Sequence, residues 1–169
     1  MAEIVYILAG SNLGDREKCI DKALDKLESL PGLEVIATSA LYVSKAQDMV
    51  GEHPDFLNQV IMAEFQFRPN ELLNGLEKIE TDLGRENKGK LQPRTIDLDI
   101  LLFGEEIIKT EELTIPHKEL LNRPFAMIPL LQVTPDIVHP VLKKEIAEFV
   151  FEADKDKVEL YKDHVARNI

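Results

Sequence analysis

The stretch PRTIDLDILLFG, residues 93–104, sets two acidic side chains into a run of large aliphatic ones. Its apolar content and the glycine that closes it read as a buried β-strand. Residues two apart in a strand share a face, so Asp97 and Asp99 are neighbours, with Cα atoms about 7 Å apart. Ile96, Leu98, Ile100 and Leu102 are expected on the opposite face, where they supply the burial. Two carboxylates this close on a half-buried surface repel each other and lose hydration. A divalent cation removes that conflict. Oxygen-only ligands suit Mg²⁺, which keeps several waters and shares its shell with substrate phosphates. The same pattern also fits the solvated outer face of an edge strand, with Arg94 as counter-charge.

The neighbouring residues favour the metal. Over 85–94 the chain carries Arg85, Lys88, Lys90 and Arg94 against one acid, Glu86. Gly84 and Gly89 allow this cationic loop to move. A basic loop leading into a metal-binding strand is what phosphoryl transfer needs, because the metal clamps the phosphates and the cations neutralise developing charge. A solvated basic loop is the plainer alternative. Downstream, IPHKELLNRPF (115–125) adds His117 and Arg123, both suited to phosphate, although a histidine after Pro116 also reads as a turn or core residue. GSNLGD (10–15) lacks the Lys-Ser/Thr that completes a phosphate loop and reads as a structural turn between strand and helix.

Working outward from 93–104, the same periodicities divide the rest of the chain. Residues 3–10 form a first strand. Ile20, Ala23, Leu24, Leu27 and Leu30 line one face of a helix over 16–30, and Pro31-Gly32 stops it. Residues 33–44 read as a second strand, 45–55 as a surface loop, and 56–67 as a third strand. A second helix spans 69–84, opened by Pro69 or Asn70 and closed by Gly84. With 93–104 as the fourth strand, the order is β-α-β-β-α-β. That order predicts an α+β, ferredoxin-like sandwich: a four-stranded antiparallel sheet with two helices on one face. Additional C-terminal elements follow, with short helical segments in 117–133 and a charged tail from Asp136 expected to end in helix. No repeat or linker divides the chain, so 1–169 reads as one domain.

Composition narrows the function classes. Hydrophobic residues make up 44% and charged residues 30% of 169, as in globular proteins. The net charge of −11 argues against a general nucleic-acid binder. The single cysteine, Cys19, fits a reducing cytoplasm and reads as a packing residue on a helix. No apolar run approaches a membrane span, and the N-terminus lacks the basic region of a signal peptide. A cytoplasmic monomer acting on small molecules is expected, with no nucleic-acid or membrane partner.

Taken together, GSNLGDR (10–16), PDFLNQV (54–60), LGR (83–85), PRTIDLDILLFG (93–104) and IPHKELLNRPFAMIPL (115–130) resemble the 6-hydroxymethyl-7,8-dihydropterin pyrophosphokinases of folate synthesis. The likeness runs from about residue 4 to 136, and its specific part is Pro-Arg-x-x-Asp-Leu-Asp. The resemblance implies a ferredoxin-like fold and transfer of pyrophosphate from ATP to the pterin hydroxymethyl oxygen, with release of AMP. It implies that Asp97 and Asp99 hold two Mg²⁺ ions on the triphosphate, and that Arg85 and Arg94 act on the phosphates. Glu77, Lys88, Ile100, Thr114, His117 and Arg123 would complete the ATP site, and Glu80 would border it. Asn58 would bond the pterin edge beside Ser44 and Asp97, and Phe56 and Phe125 would sandwich its ring. The segment YVSKAQDM (42–49) lacks the proline pair common there, and Gln92 replaces a small residue before Pro93. The alternatives are another Mg-dependent transferase with a D-x-D pair, opposed by the lack of a Rossmann-like Gly-rich turn, and a non-catalytic RNA-binding module of the same fold. The acidic charge and the absence of a Lys/Arg-Gly-Phe aromatic strand oppose the second.

Overall fold

A computed structural model of the chain describes residues 2–44, 55–84, 96–150 and 158–162. The sheet is built around β1 (Glu3–Ser11), whose run of Val5, Tyr6, Ile7, Leu8 and Ala9 is buried on both faces. β4 (Phe56–Phe65) and β5 (Asp97–Phe103) flank it, both antiparallel. β2 (Leu33–Thr38) and β3 (Leu41–Ser44) pair in succession along the far side of β4. β8 (Val158–Lys162) pairs with β3, so the sheet order is β5-β1-β4-β3-β8 with β2 also on β4. A separate short ladder joins β6 (Ile108–Lys109) to β7 (Thr114–Ile115).

Two helices cover one face. α1 (Arg16–Glu28) buries Ile20, Ala23, Leu24 and Leu27, and α2 (Pro69–Asp82) buries Leu72, Leu76 and Ile79 against Val5, Ile7, Leu57 and Ile61. Asp15 caps α1 by accepting from the Lys18 amide at 3.1 Å. Pro69 occupies the first turn of α2, and Gly84, at φ +94°, follows its C-cap. The opposite face is covered from the C-terminal part. A 3₁₀ turn (Leu120–Asn122), α3 (Pro124–Val133) and the short α4 (Ala147–Val150) follow in order there. Leu120, Ala126, Met127 and Leu130 pack on Tyr6, Leu8, Val60 and Leu101. No helix among the described residues is long and apolar enough to cross a membrane.

Two expectations are corrected. The single strand over 33–44 is two strands broken at Ser39-Ala40. The Ser39 hydroxyl accepts from the Val60 amide at 2.9 Å and donates to the Ala40 carbonyl at 2.7 Å, while Gln59 Nε2 donates to the Ser39 carbonyl at 3.0 Å. Side chains thus take over ladder bonds, and the strand bends. Leu102 lies on the α3 side, because the β1–β5 register skips Leu101 between Tyr6 and Ile7 and turns both leucines that way. The tail carries a helix at Ala147–Val150 and then β8, and its last residues, where helix is expected, lie outside the described residues. The loops expected over 45–55 and 85–93 fall almost wholly outside the described residues, Asp55 excepted.

Candidate active site at the end of the sheet

The β1 register decides what meets at the site. Asp97 stands opposite Gly10, Asp99 opposite Leu8, and Gly10 on its other side stands opposite Asn58. Directly opposed residues share a face. Leu8 and Val60 fix that face as the α3 side. Asp97 and Asp99 are therefore half-buried on the α3 face of an edge strand, while Leu98 and Ile100 enter the α1/α2 core. The opposite-face expectation holds for these two and for Ile96, and the aspartates share a face as their spacing requires.

Asn58 is 1% exposed. Its Nδ2 donates to Ser44 Oγ at 2.8 Å and to the Tyr42 carbonyl at 3.4 Å, which turns Oδ1 toward β1. A Cβ built on Gly10 would sit 3.3 Å from that Oδ1 and 3.5 Å from Phe56 Cδ1. Gly10 thus leaves a gap in the strand face between Asp97 and Asn58, floored by backbone and bordered by an aromatic ring. Phe56 pairs with Ser44 one row further on. Ser44, Phe56, Asn58 and Asp97 are brought together, as expected. The sequence reading sets Gly10 at the end of the first strand and the start of the GSNLGD turn, with no role at the site. A glycine inside a strand pattern is a signal of close approach, and it could have been read that way.

His117 follows β7 and is tied to β5, since its backbone N–H donates to the Leu101 carbonyl at 3.0 Å. Its Nδ1 accepts from the Glu119 amide at 3.1 Å, so the ring proton is on Nε2. Burial first, then the Arg123 guanidinium, lowers its pKa to about 4, against an opposing pull from Asp97. His117 is consequently a neutral donor beside Asp97 and Arg123 and adds no charge to the cationic set. Arg123 precedes α3 at its N-cap position, without a capping side-chain bond, and lies over the Phe125 ring, 5.6 Å from its centroid, a cation–π contact on the same face of the sheet.

A cleft of about 190 Å³ opens beside Asp99, lined by Leu73, Ile100, Thr114, His117 and Lys118 among others. It joins four expected site residues. Leu73 was not anticipated, and nothing in the helix pattern separates it from a core leucine. Glu77, one turn on, is exposed and does not line the cleft. Glu80 is 2% exposed, and its Oε2 accepts from the Leu98 amide at 2.7 Å, the peptide between the two aspartates. Arg85, Lys88 and Arg94 lie outside the described residues. Among the described residues, no group of three or more His, Cys, Asp or Glu side chains is placed to hold a metal. Asp97 and Asp99 form an oxygen-only pair on this face, a donor set whose chemistry fits Mg²⁺ completed by water and phosphate oxygens.

A family model described as 7,8-dihydro-6-hydroxymethylpterin-pyrophosphokinase matches residues 6–135. The 2-amino-4-hydroxy-6-hydroxymethyldihydropteridine pyrophosphokinase of Aquifex aeolicus is 42% identical over 145 residues, covering 86% of this chain and 89% of that protein. Its namesake in Haemophilus influenzae is 39% identical over 135 residues, 80% of this chain and 84% of that one. The folic acid synthesis protein fol1 of Pneumocystis carinii is 44% identical over 147 residues, but this chain spans only 20% of its length. Among solved structures, a Plasmodium falciparum HPPK-DHPS superposes with a TM-score of 0.69 over 90% of this chain and 45% of that one. At 15% identity that likeness concerns the fold alone.

Proposed function

The chain belongs to the 7,8-dihydro-6-hydroxymethylpterin-pyrophosphokinase family, and from that premise we propose how its residues carry a pyrophosphoryl group from ATP to 6-hydroxymethyl-7,8-dihydropterin in folate biosynthesis. The observation that carries the proposal is the β1 register. It sets Asp97 beside the gap at Gly10, while Asp99 lines the cleft with Ile100, Thr114 and His117. The pterin takes the first, with Asn58 Oδ1 accepting from its N–H edge and Phe56 and Phe125 against its ring. The adenine side of ATP takes the second. At about 190 Å³ the cleft is base-sized, below the roughly 300 Å³ at which pockets for larger ligands begin.

Asp97 and Asp99 would hold Mg²⁺, two ions by family resemblance, and the charge such ions supply would neutralise the phosphate oxygens. The side chains then align the pterin hydroxymethyl oxygen with the β-phosphorus of ATP. The new O–P bond forms as the bond from β-phosphorus to the α-phosphate oxygen breaks, and AMP departs. His117 donates from Nε2 to a phosphate or ribose oxygen and Arg123 adds charge, while Glu77, exposed and outside the cleft, is assigned to the nucleotide from the family resemblance alone. Arg85, Lys88 and Arg94 are assigned to the phosphates from sequence alone. We read the sheet order, with α1 and α2 on one face, as a ferredoxin-like β-α-β-β-α-β unit extended by the C-terminal elements. The lone Cys19 supports a cytoplasmic setting, and we read the chain as a monomer. Incubating the protein with ATP, Mg²⁺ and the hydroxymethyl-dihydropterin should release AMP in step with pterin pyrophosphate. Release of ADP, or of nothing, would overturn the reading.

A further inference from the structure

We propose that β8, which lies beyond the family-matched residues 6–135, is a working part of the pterin side of the site, held there by Arg16. β8 adds to β3 with Val158 opposite Ser44 and Leu160 opposite Tyr42. Those two β3 residues receive the hydrogen bonds that orient Asn58. The row Asp97, Gly10, Asn58, Tyr42 thus continues to Leu160, and the row Phe56, Ser44 continues to Val158. Without β8, β3 is a four-residue edge strand, and short edge pairings fray.

The other side of β8 is tied to α1. The Arg16 guanidinium lies 5.8 Å from the Tyr161 ring centroid, and Lys162 Nζ is 2.9 Å from Glu17 Oε1. The exposed ion pair adds little by itself. Arg16 does more, because its Nη1 also donates to the Asp55 carbonyl at 2.7 Å, directly before Phe56. One half-buried side chain therefore joins the start of α1, the entry to β4 and β8. These segments surround the end of the sheet that carries Gly10, Phe56, Asn58 and Ser44. Arg16 and Tyr161 are positioning residues. Arg16 acts through the Asp55–Phe56 entry, and Tyr161 through β8 and Ser44.

This inference rests on the pterin placement proposed above, and the test separates the two. Binding of the hydroxymethyl-dihydropterin and of a non-hydrolysable ATP analogue with Mg²⁺ is measured by calorimetry on the full chain. Variants are Tyr161→Leu, Tyr161→Phe and Arg16→Gln. Tyr161→Leu and Arg16→Gln should each weaken pterin binding about tenfold while the nucleotide affinity and Tm hold. Tyr161→Phe, which keeps the ring under Arg16, should bind as the wild type. Equal loss for both ligands, loss of Tm alone, or no loss would overturn the role of β8. If Asn58→Ala left pterin binding intact in the same assay, the pterin placement would fall instead.

Discussion

Gly10 shows how a residue with no side chain shapes the site. Any Cβ there enters the gap between Asp97 and Asn58, 3.3 Å from Oδ1 and 3.5 Å from Phe56. Gly10→Ala should therefore raise the pterin KM about tenfold, some 1.4 kcal/mol, with the ATP KM unchanged. Steady-state kinetics with each substrate varied checks this split. The motif GSN advertised the position, but only strand pairing reveals its neighbours. His117 illustrates the converse. IPHKELLNR marks it as a site candidate, but its charge state was not legible there, because burial and Arg123 decide it. Folded, it takes a proton only near pH 4, while unfolded it does so near 6.5. Between those values the unfolded chain holds more protons, so acidification from 6.5 toward 4 destabilises the fold. The slope approaches about 1.4 kcal/mol per unit of pH, and above 6.5 His117 contributes none. Thermal melts of the metal-free protein at pH 7 and 5 should show a smaller Tm difference in His117→Gln than in the wild type.

At the level of elements, α2 and β5 are joined at one buried bond. Glu80 in the last turn of α2 accepts from the Leu98 amide between the aspartates. Glu80→Ala leaves that N–H unpaired and should cost about 1–3 kcal/mol. It should also lower kcat, since the strand beneath both carboxylates loosens. Glu80→Gln keeps an acceptor and should recover most of the stability, as chemical denaturation would show. The 85–94 segment that joins α2 to β5 is judged from its charges alone. Arg94→Ala should slow the single-turnover chemical step while nucleotide affinity shifts by less than about tenfold. A loss of affinity alone would make the segment a static basic surface. Periodic elements were legible: α1 and α2 carry regular apolar faces, and α2 ends just before Gly84, although α1 stops at Glu28, ahead of Pro31-Gly32. The break at Ser39-Ala40 and the bulge at Leu101 were not, because each depends on a partner strand. Gln59 and Val60 bend the first, and Tyr6 and Ile7 set the second. β8 escaped for the same reason, since Val158 and Leu160 form a strand only on β3.

Across the whole molecule, the site is an edge-to-centre arrangement. β5 brings the carboxylates, β1 a gap, β4 and β3 the Asn58–Ser44 pair, and the C-terminal face brings His117, Arg123 and Phe125 over them. The motifs were each visible in the chain, but their juxtaposition arises from register and from the second helical layer, which no local pattern encodes. The central claim is that the aspartate pair holds the metal and phosphates between the two substrates. Its most direct test is single-turnover AMP formation by Asp97→Ala and Asp99→Ala at saturating Mg²⁺, ATP and pterin, with circular dichroism on the same samples. The account predicts a loss of at least about 100-fold in each, near 2.7 kcal/mol, with an unchanged spectrum, since removing one carboxylate relieves repulsion. Turnover near the wild-type rate in either variant would contradict it.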